Sequence, residues 1–152
     1  HIIHHEKNFG KGRGIKTALK FAKENNIRYS IFADSDNQHD VDDIFKVYLL
    51  SKSKNINERK LIVAQRNFEK KMPFTSKFGN SFVTFLINLF YKQKFSDTQC
   101  GLRLIPYKLY NHFLLFDNDG YDFEMKCFIY CLKKKKFKNR YIYKINLYQR
   151  KI

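Results

Sequence analysis

Two carboxylates at i and i+2, Asp34 and Asp36, joined by the side-chain amide of Gln38 two residues on, make residues 34–40 the most informative stretch of this chain. Oxygen donors of this kind suit Mg2+ or Mn2+, hard ions that bridge from protein carboxylates to substrate phosphates. The same residues have a plainer use, because Asp also caps helices and stabilises solvated turns. A second stretch, Asn8-Phe-Gly10-Lys11-Gly12-Arg-Gly14, precedes an amphipathic segment and offers backbone N–H groups and an ammonium to an anion at a helix N-terminus. Two better-known glycine-rich patterns do not fit it. A Walker A loop starting at Gly10 needs glycine where Ile15 stands, and a dinucleotide fingerprint needs a strong strand ahead, where only His1-Ile-Ile-His4 is found. Taken alone, this stretch is also an ordinary flexible turn. Cys127 and Cys131 lie one helical turn apart, and His1, His4 and His5 cluster, but neither group has zinc-site spacing. Buried reduced thiols and the remnant of a strand are the expectation there.

These groups need elements to hold them. Ile15, Ala18, Leu19 and Ala22 recur at helical spacing and predict a helix from about Gly12 to Asn25. Arg28–Ala33 is a short β-branched and aromatic run, a strand that delivers Asp34 and Asp36 at its C-terminal end. Asp40 as N-cap with Asp43 at N3 opens a helix through about Ser51, and Lys60–Ala64 reads as a buried strand. This alternation predicts an α/β fold with a mostly parallel sheet and helices on both faces, whose ligands gather outside the carboxyl ends of the strands. From Ser76 to Tyr91 the polar residues Lys77, Ser81, Thr84 and Asn88 leave most of a helix apolar, either a core helix or one dipping into a lipid interface. A strand near Leu102–Ile105, helices near Tyr107–Leu115 and Tyr121–Leu132, and an alternating Arg140–Leu147 segment follow.

Composition narrows the function classes. With 152 residues, 43% of them hydrophobic, and few Gly and Pro, the chain builds one globular core and is neither disordered nor a linker. Phe82–Tyr91, its longest apolar stretch, is too short to cross a bilayer. Three cysteines do not make a disulfide framework, which favours a reducing, cytoplasmic compartment. The formal charge of +16 is concentrated late, and no carboxylate follows Glu124, a distribution that attracts phosphate, nucleic acid or an anionic membrane surface. A nucleic-acid-binding module is the alternative, but it lacks the RNA-recognition, KH and zinc-finger signatures, so nucleic acid is not the expected partner.

Read in order, the motifs form a series: Asn8-x-Gly10-Lys11-Gly12, Asp34-Ser-Asp36-Asn-Gln38-His39, Ala64-Gln-Arg66-Asn67, Phe78-Gly79-Asn80, Asp97-Thr-Gln-Cys-Gly101-Leu-Arg103 and Tyr121-Asp-Phe-Glu124-Met125. The series resembles family 2 glycosyltransferases, in particular the bacterial branch similar to dolichyl-phosphate mannose synthase and polyprenyl-phosphate glycosyltransferases. That resemblance implies a GT-A fold, a Rossmann-like sheet holding a nucleotide-sugar donor at its strand ends, with Mg2+ or Mn2+ on the diphosphate and inversion at the anomeric carbon. It implies that Asn8, Gly10, Lys11 and Asp34 bind the nucleotide-sugar and that Asp34, Asp36 and Gln38 hold the metal. It implies catalytic roles for Arg66 facing the phosphates or acceptor, and for Asp97, Arg103 and Glu124 on the acceptor side. The expected acceptor is a polyprenyl phosphate or a saccharide, and the expected location is the inner face of the membrane, peripherally bound. Residues 1–152 then form a single catalytic domain lacking the family's first strand and its Pro-x-Tyr-Asn-Glu loop.

Overall fold

The computed structural model describes residues 1–36, 39–53, 60–66, 74–134 and 142–147. Five helices and four strands alternate along them. They are α1 (Lys11–Glu24), β1 (Tyr29–Phe32), α2 (Val41–Lys52), β2 (Leu61–Arg66), α3 (Phe74–Tyr91), β3 (Arg103–Pro106), α4 (Tyr107–Leu114), α5 (Asp122–Lys134) and β4 (Ile142–Leu147).

The strands form one sheet in the order β1-β3-β2-β4. β3 pairs antiparallel with both β1 and β2, whereas β2 pairs parallel with β4, so β1, β2 and β4 point one way and β3 runs against them. This corrects the expectation of a mostly parallel sheet. Helix–strand alternation does make β1 and β2 point the same way, but a later strand fills the gap between them from the opposite direction. The consequence is local and useful. Asp34 just after β1, Arg66 at the end of β2 and Gly101–Arg103 at the start of β3 all meet at one edge of the sheet.

Alternation along the strands sends side chains to two faces. Leu61, Val63 and Ile105 join α1, α4 and α5 in the larger core, where Tyr110, Phe113, Phe123 and Phe128 are fully buried. Ile62, Ala64, Leu102 and Leu104 pack against Val47, Ile44 and Leu50 of α2 on the other face. Helices on both faces were expected and are found.

Local signals explain the helix ends. The Asp40 carboxylate accepts the Asp42 N–H at 3.0 Å and caps α2, while Asp43 holds Lys46 at 2.7 Å across one turn. α1 buries Gly12, Ile15, Leu19 and Ala22 on one stripe. Gly12 is required by packing, since a Cβ there would lie 2.6 Å from Phe123 Cβ and 2.8 Å from the Gly120 carbonyl.

α3 departs from a simple core helix. Thr84 and Asn88 face inward: Thr84 Oγ1 lies 3.0 Å from Thr98 Oγ1, and the Asn88 amide donates to the Phe95 carbonyl and accepts its N–H at 2.9 and 2.8 Å. Phe82, Phe85, Leu89 and Phe90 are 56–75% exposed on the opposite side. At about 100° per residue these positions, with Leu86 among them, cover roughly 140° of the helix. No helix among the described residues is long and apolar enough to cross a membrane.

The two α1 glycines should respond oppositely to alanine. Gly12→Ala forces α1 away from α5 and should destabilise by about 1–3 kcal/mol. At Gly14 an added Cβ meets nothing within 4 Å, so Gly14→Ala should stabilise by about 0.5–1 kcal/mol through the helix backbone. Urea denaturation midpoints measure both.

Candidate active site

α1 starts at Gly10, whose φ of 98° suits glycine and where a Cβ would strike the Asp119 carbonyl. Asn8 turns the chain into this position by accepting the Gly10 N–H at 2.8 Å. One backbone N–H of the first turn of α1 is engaged by the 117–120 loop. The Arg13 N–H donates to the Asp119 carbonyl at 3.1 Å, and the Asp119 carboxylate binds Arg13 at 2.6 Å and also Lys16. Hydrogen bonds from Lys16 hold that carboxyl below its usual range, despite an opposing desolvation effect. With its helix end tied to the 117–120 loop, α1 offers the site a side chain, Lys11.

Lys11 Nζ lies 2.6 Å from Asp34 Oδ1 and 2.7 Å from Glu124 Oε2. Burial pushes its proton affinity down, but hydrogen bonds and charge from the two carboxylates outweigh this and leave its pKa raised. Asp34 fits against Gly101, where any Cβ would collide with its carboxylate. A cleft of about 510 Å3 opens over this pair, lined also by Asp36, Ile15, Phe32 and Tyr121. The Tyr121 ring centroid is 5.9 Å from Lys11 Nζ, an exposed cation–π contact at the rim.

Arg103 is buried at 4% exposure and turned into the protein. Its guanidinium donates to the carbonyls of Cys100, Thr98 and Glu124 at 3.1, 3.2 and 2.7 Å, and its Nε is 3.5 Å from the Glu124 carboxylate. It therefore positions Glu124 and the 98–100 loop and presents no free face to a phosphate. Asp97, only 1% exposed, closes the same loop by accepting the Gln99 N–H at 2.9 Å, so the acid that lines the cleft is Glu124.

The structure thus gathers Lys11, Asp34, Asp36 and Glu124 in one cleft, with Arg103 behind Glu124. Asn8 and Gly10 line an adjoining cavity of about 490 Å3 with His1, His4 and His5. The Arg66 backbone ends β2 at the same sheet edge. Gln38 lies outside the described residues. The pattern understated His39, whose side chain is 3% exposed with Nε2 3.9 Å from Asp34 Oδ2 and a buried Nδ1 that has no hydrogen-bond partner among the described residues. Its place at the end of the acidic motif was the available signal.

A family model matches residues 1–115, about three-quarters of the chain, under the description "Glycosyl transferase family 2". The chain belongs to this family. It is 40% identical over 106 residues to UDP-N-acetylglucosamine–dolichyl-phosphate N-acetylglucosaminyltransferase of Methanococcus voltae, covering 66% of this chain and 41% of that protein. It is 34% identical over 112 residues to an uncharacterized protein of Methanocaldococcus jannaschii, covering 69% and 47% respectively. This family 2 chain spans less than half the length of both relatives. No solved structure matches it.

The cysteines take no part in the cleft. All three are buried, and burial pushes the Cys127 thiol far above its usual range and the Cys131 thiol up to about 12. Cys127 and Cys131 are therefore neutral near neutral pH and poor nucleophiles. Iodoacetamide at mildly alkaline pH should alkylate the folded protein far more slowly than the denatured one, as read by mass shift.

Proposed function

We propose that this family 2 chain forms the donor-binding and catalytic part of an inverting GT-A glycosyltransferase that moves a sugar from a nucleoside-diphosphate sugar to a polyprenyl phosphate. The convergence of Lys11, Asp34, Asp36 and Glu124 at one sheet edge carries the reading. The name of the Methanococcus relative supports a UDP-sugar donor and a dolichyl-type phosphate acceptor.

The donor set fits Mg2+ or Mn2+. Asp34 and Asp36 supply hard oxygens to the cleft, and the absence of a side chain at Gly101 lets the Asp34 carboxylate sit there. Among the described residues no three His, Cys, Asp or Glu side chains are arranged to hold a metal by themselves. That suits an ion carried by one or two carboxylates together with substrate phosphates, with Gln38 as a further donor. Such an ion would offset charge developing on the departing diphosphate.

In the transfer, an anionic oxygen of the acceptor phosphate attacks the anomeric carbon as the bond to the donor diphosphate breaks. The leaving nucleoside diphosphate takes the bonding electron pair. A phosphate nucleophile needs no general base, so the protein's work is orientation and charge balance. Lys11 is placed for the diphosphate, and Glu124, held from behind by Arg103, forms the opposite wall. Arg66 reaches the same edge on β2. A saccharide hydroxyl acceptor would instead require a base, for which Glu124 is the carboxylate in the cleft.

In the full-length protein, Asp36→Asn should lower metal-dependent transfer from UDP-N-acetylglucosamine to a polyprenyl phosphate at least about 100-fold. Its thermal midpoint should barely move, because Asp36 is exposed. Wild-type rates in that variant would remove the metal role, and modification of a saccharide but not the lipid would replace the acceptor.

We also propose peripheral binding to the inner face of an anionic membrane through α3 and the acid-free C-terminal region, supported by the exposed Phe82, Phe85, Leu89 and Phe90. Each aromatic inserted adds about 1.5–3 kcal/mol and each basic residue near the surface about 1 kcal/mol. Flotation with phosphatidylserine-containing vesicles should exceed that with neutral ones and fall at least about tenfold in Phe82→Ser/Phe85→Ser. Equal flotation across lipids or variants would reject this surface.

A further inference from the structure

Lys11 holds two acids that the donor site needs for other work. Its ammonium bridges Asp34, from the end of β1, and Glu124, from the first turn of α5, and so ties opposite walls of the cleft together. Asp34 has little freedom to offer a different oxygen. Lys11 takes Oδ1, while Oδ2 lies against Gly101 and 3.9 Å from His39 Nε2. The chain thus supplies a monovalent cation of its own at the carboxylate where a divalent one is expected.

We propose that Lys11 is an internal counter-cation: it offsets part of the charge of Asp34 and Glu124 in the empty cleft, gives up Asp34 to an entering divalent ion, and turns to the phosphates of the accompanying nucleotide. This deepens the donor-site reading above and rests on it. An ammonium and a divalent cation repel each other strongly at contact distance, so they do not share one carboxylate oxygen. A metal arriving alone must displace Lys11 into a cleft with no new partner for it. A metal arriving with a diphosphate brings that partner. Binding of the two is therefore mutually reinforcing, and the reinforcement is reciprocal by linkage. The device lowers the net negative charge of the empty cleft and favours the loaded pair over either component.

The test uses Mn2+ and UDP as probes, with calorimetry and the free-ion paramagnetic resonance signal as readouts. Lys11→Gln should bind Mn2+ alone about tenfold more tightly than wild type. Lys11→Arg, which keeps the charge, and Lys20→Gln, which removes a charge from an exposed position of the same helix, should stay near wild type. With UDP present the order should reverse, and Lys11→Gln should bind Mn2+–UDP more weakly. A lysine that only braced the fold would weaken both. Reductive methylation of the unmutated protein, read by mass spectrometry, gives a second measure: saturating Mn2+ should raise labelling of Lys11 relative to Lys20, and UDP with Mn2+ should suppress it. Equal Mn2+ affinity in wild type and Lys11→Gln, or labelling unchanged by saturating Mn2+, overturns the counter-cation role while Mn2+–UDP binding leaves the donor site standing. Absence of Mn2+ binding to every variant, with UDP and without, overturns both.

Discussion

Burying the Arg103 guanidinium carries a desolvation cost that only a full set of acceptors offsets, and those acceptors come from two separate places. The Thr98 and Cys100 carbonyls belong to the loop entering β3, whereas the Glu124 carbonyl belongs to α5. Satisfying one cation therefore fixes a loop and a helix relative to the sheet. Glu124 then stands where it reaches Lys11, and Gly101 stands where it meets Asp34. α3 supports the loop from the other side through Thr84 and Asn88, which explains why that helix turns these two polar residues inward.

The antiparallel entry of β3 belongs to the same constraint. Had β3 run with its neighbours, its first residues would lie at the far edge of the sheet, and neither Gly101 nor Arg103 would approach the acidic motif. The strand between β1 and β2 is thus a means of bringing a late segment of sequence to an early one. Charge follows topology: acids of the early motif face cations and carboxylates contributed from α1 and α5 across one cleft.

Much of this was legible in the residues. The periodic stripe of Ile15, Leu19 and Ala22, the Asp40 cap and the apolar run at Leu61–Ala64 each carry a local signal strong enough to define an element. Lys11, Asp34, Asp36 and Glu124 could be read as one site because their motifs occur in a characteristic series. The direction of β3 could not be read, because a short strand has no local mark of which way it runs. The inward turn of Arg103 was equally hidden, since an arginine beside a cleft reads as a phosphate ligand until its carbonyl partners are known. His39 was masked by its neighbours, whose carboxylates explain the motif without it.

The sheet is covered unequally, and the cleft lies across the inequality. Among the described residues, one face carries α1, α4 and α5 over a dense aromatic core, while the other carries α2, which buries only Asp43 and Val47 and leaves Val41, Phe45, Tyr48 and Leu49 exposed. Local opening free energy follows such packing, so backbone amides of α2 exchange with solvent through smaller fluctuations than those of α1 or α5. Asp34 and Asp36 sit on the connection leading into α2, whereas Lys11 and Glu124 belong to the well-packed helices. The cleft accordingly joins carboxylates from the sparsely covered side of the sheet to a lysine and a glutamate from its densely packed side.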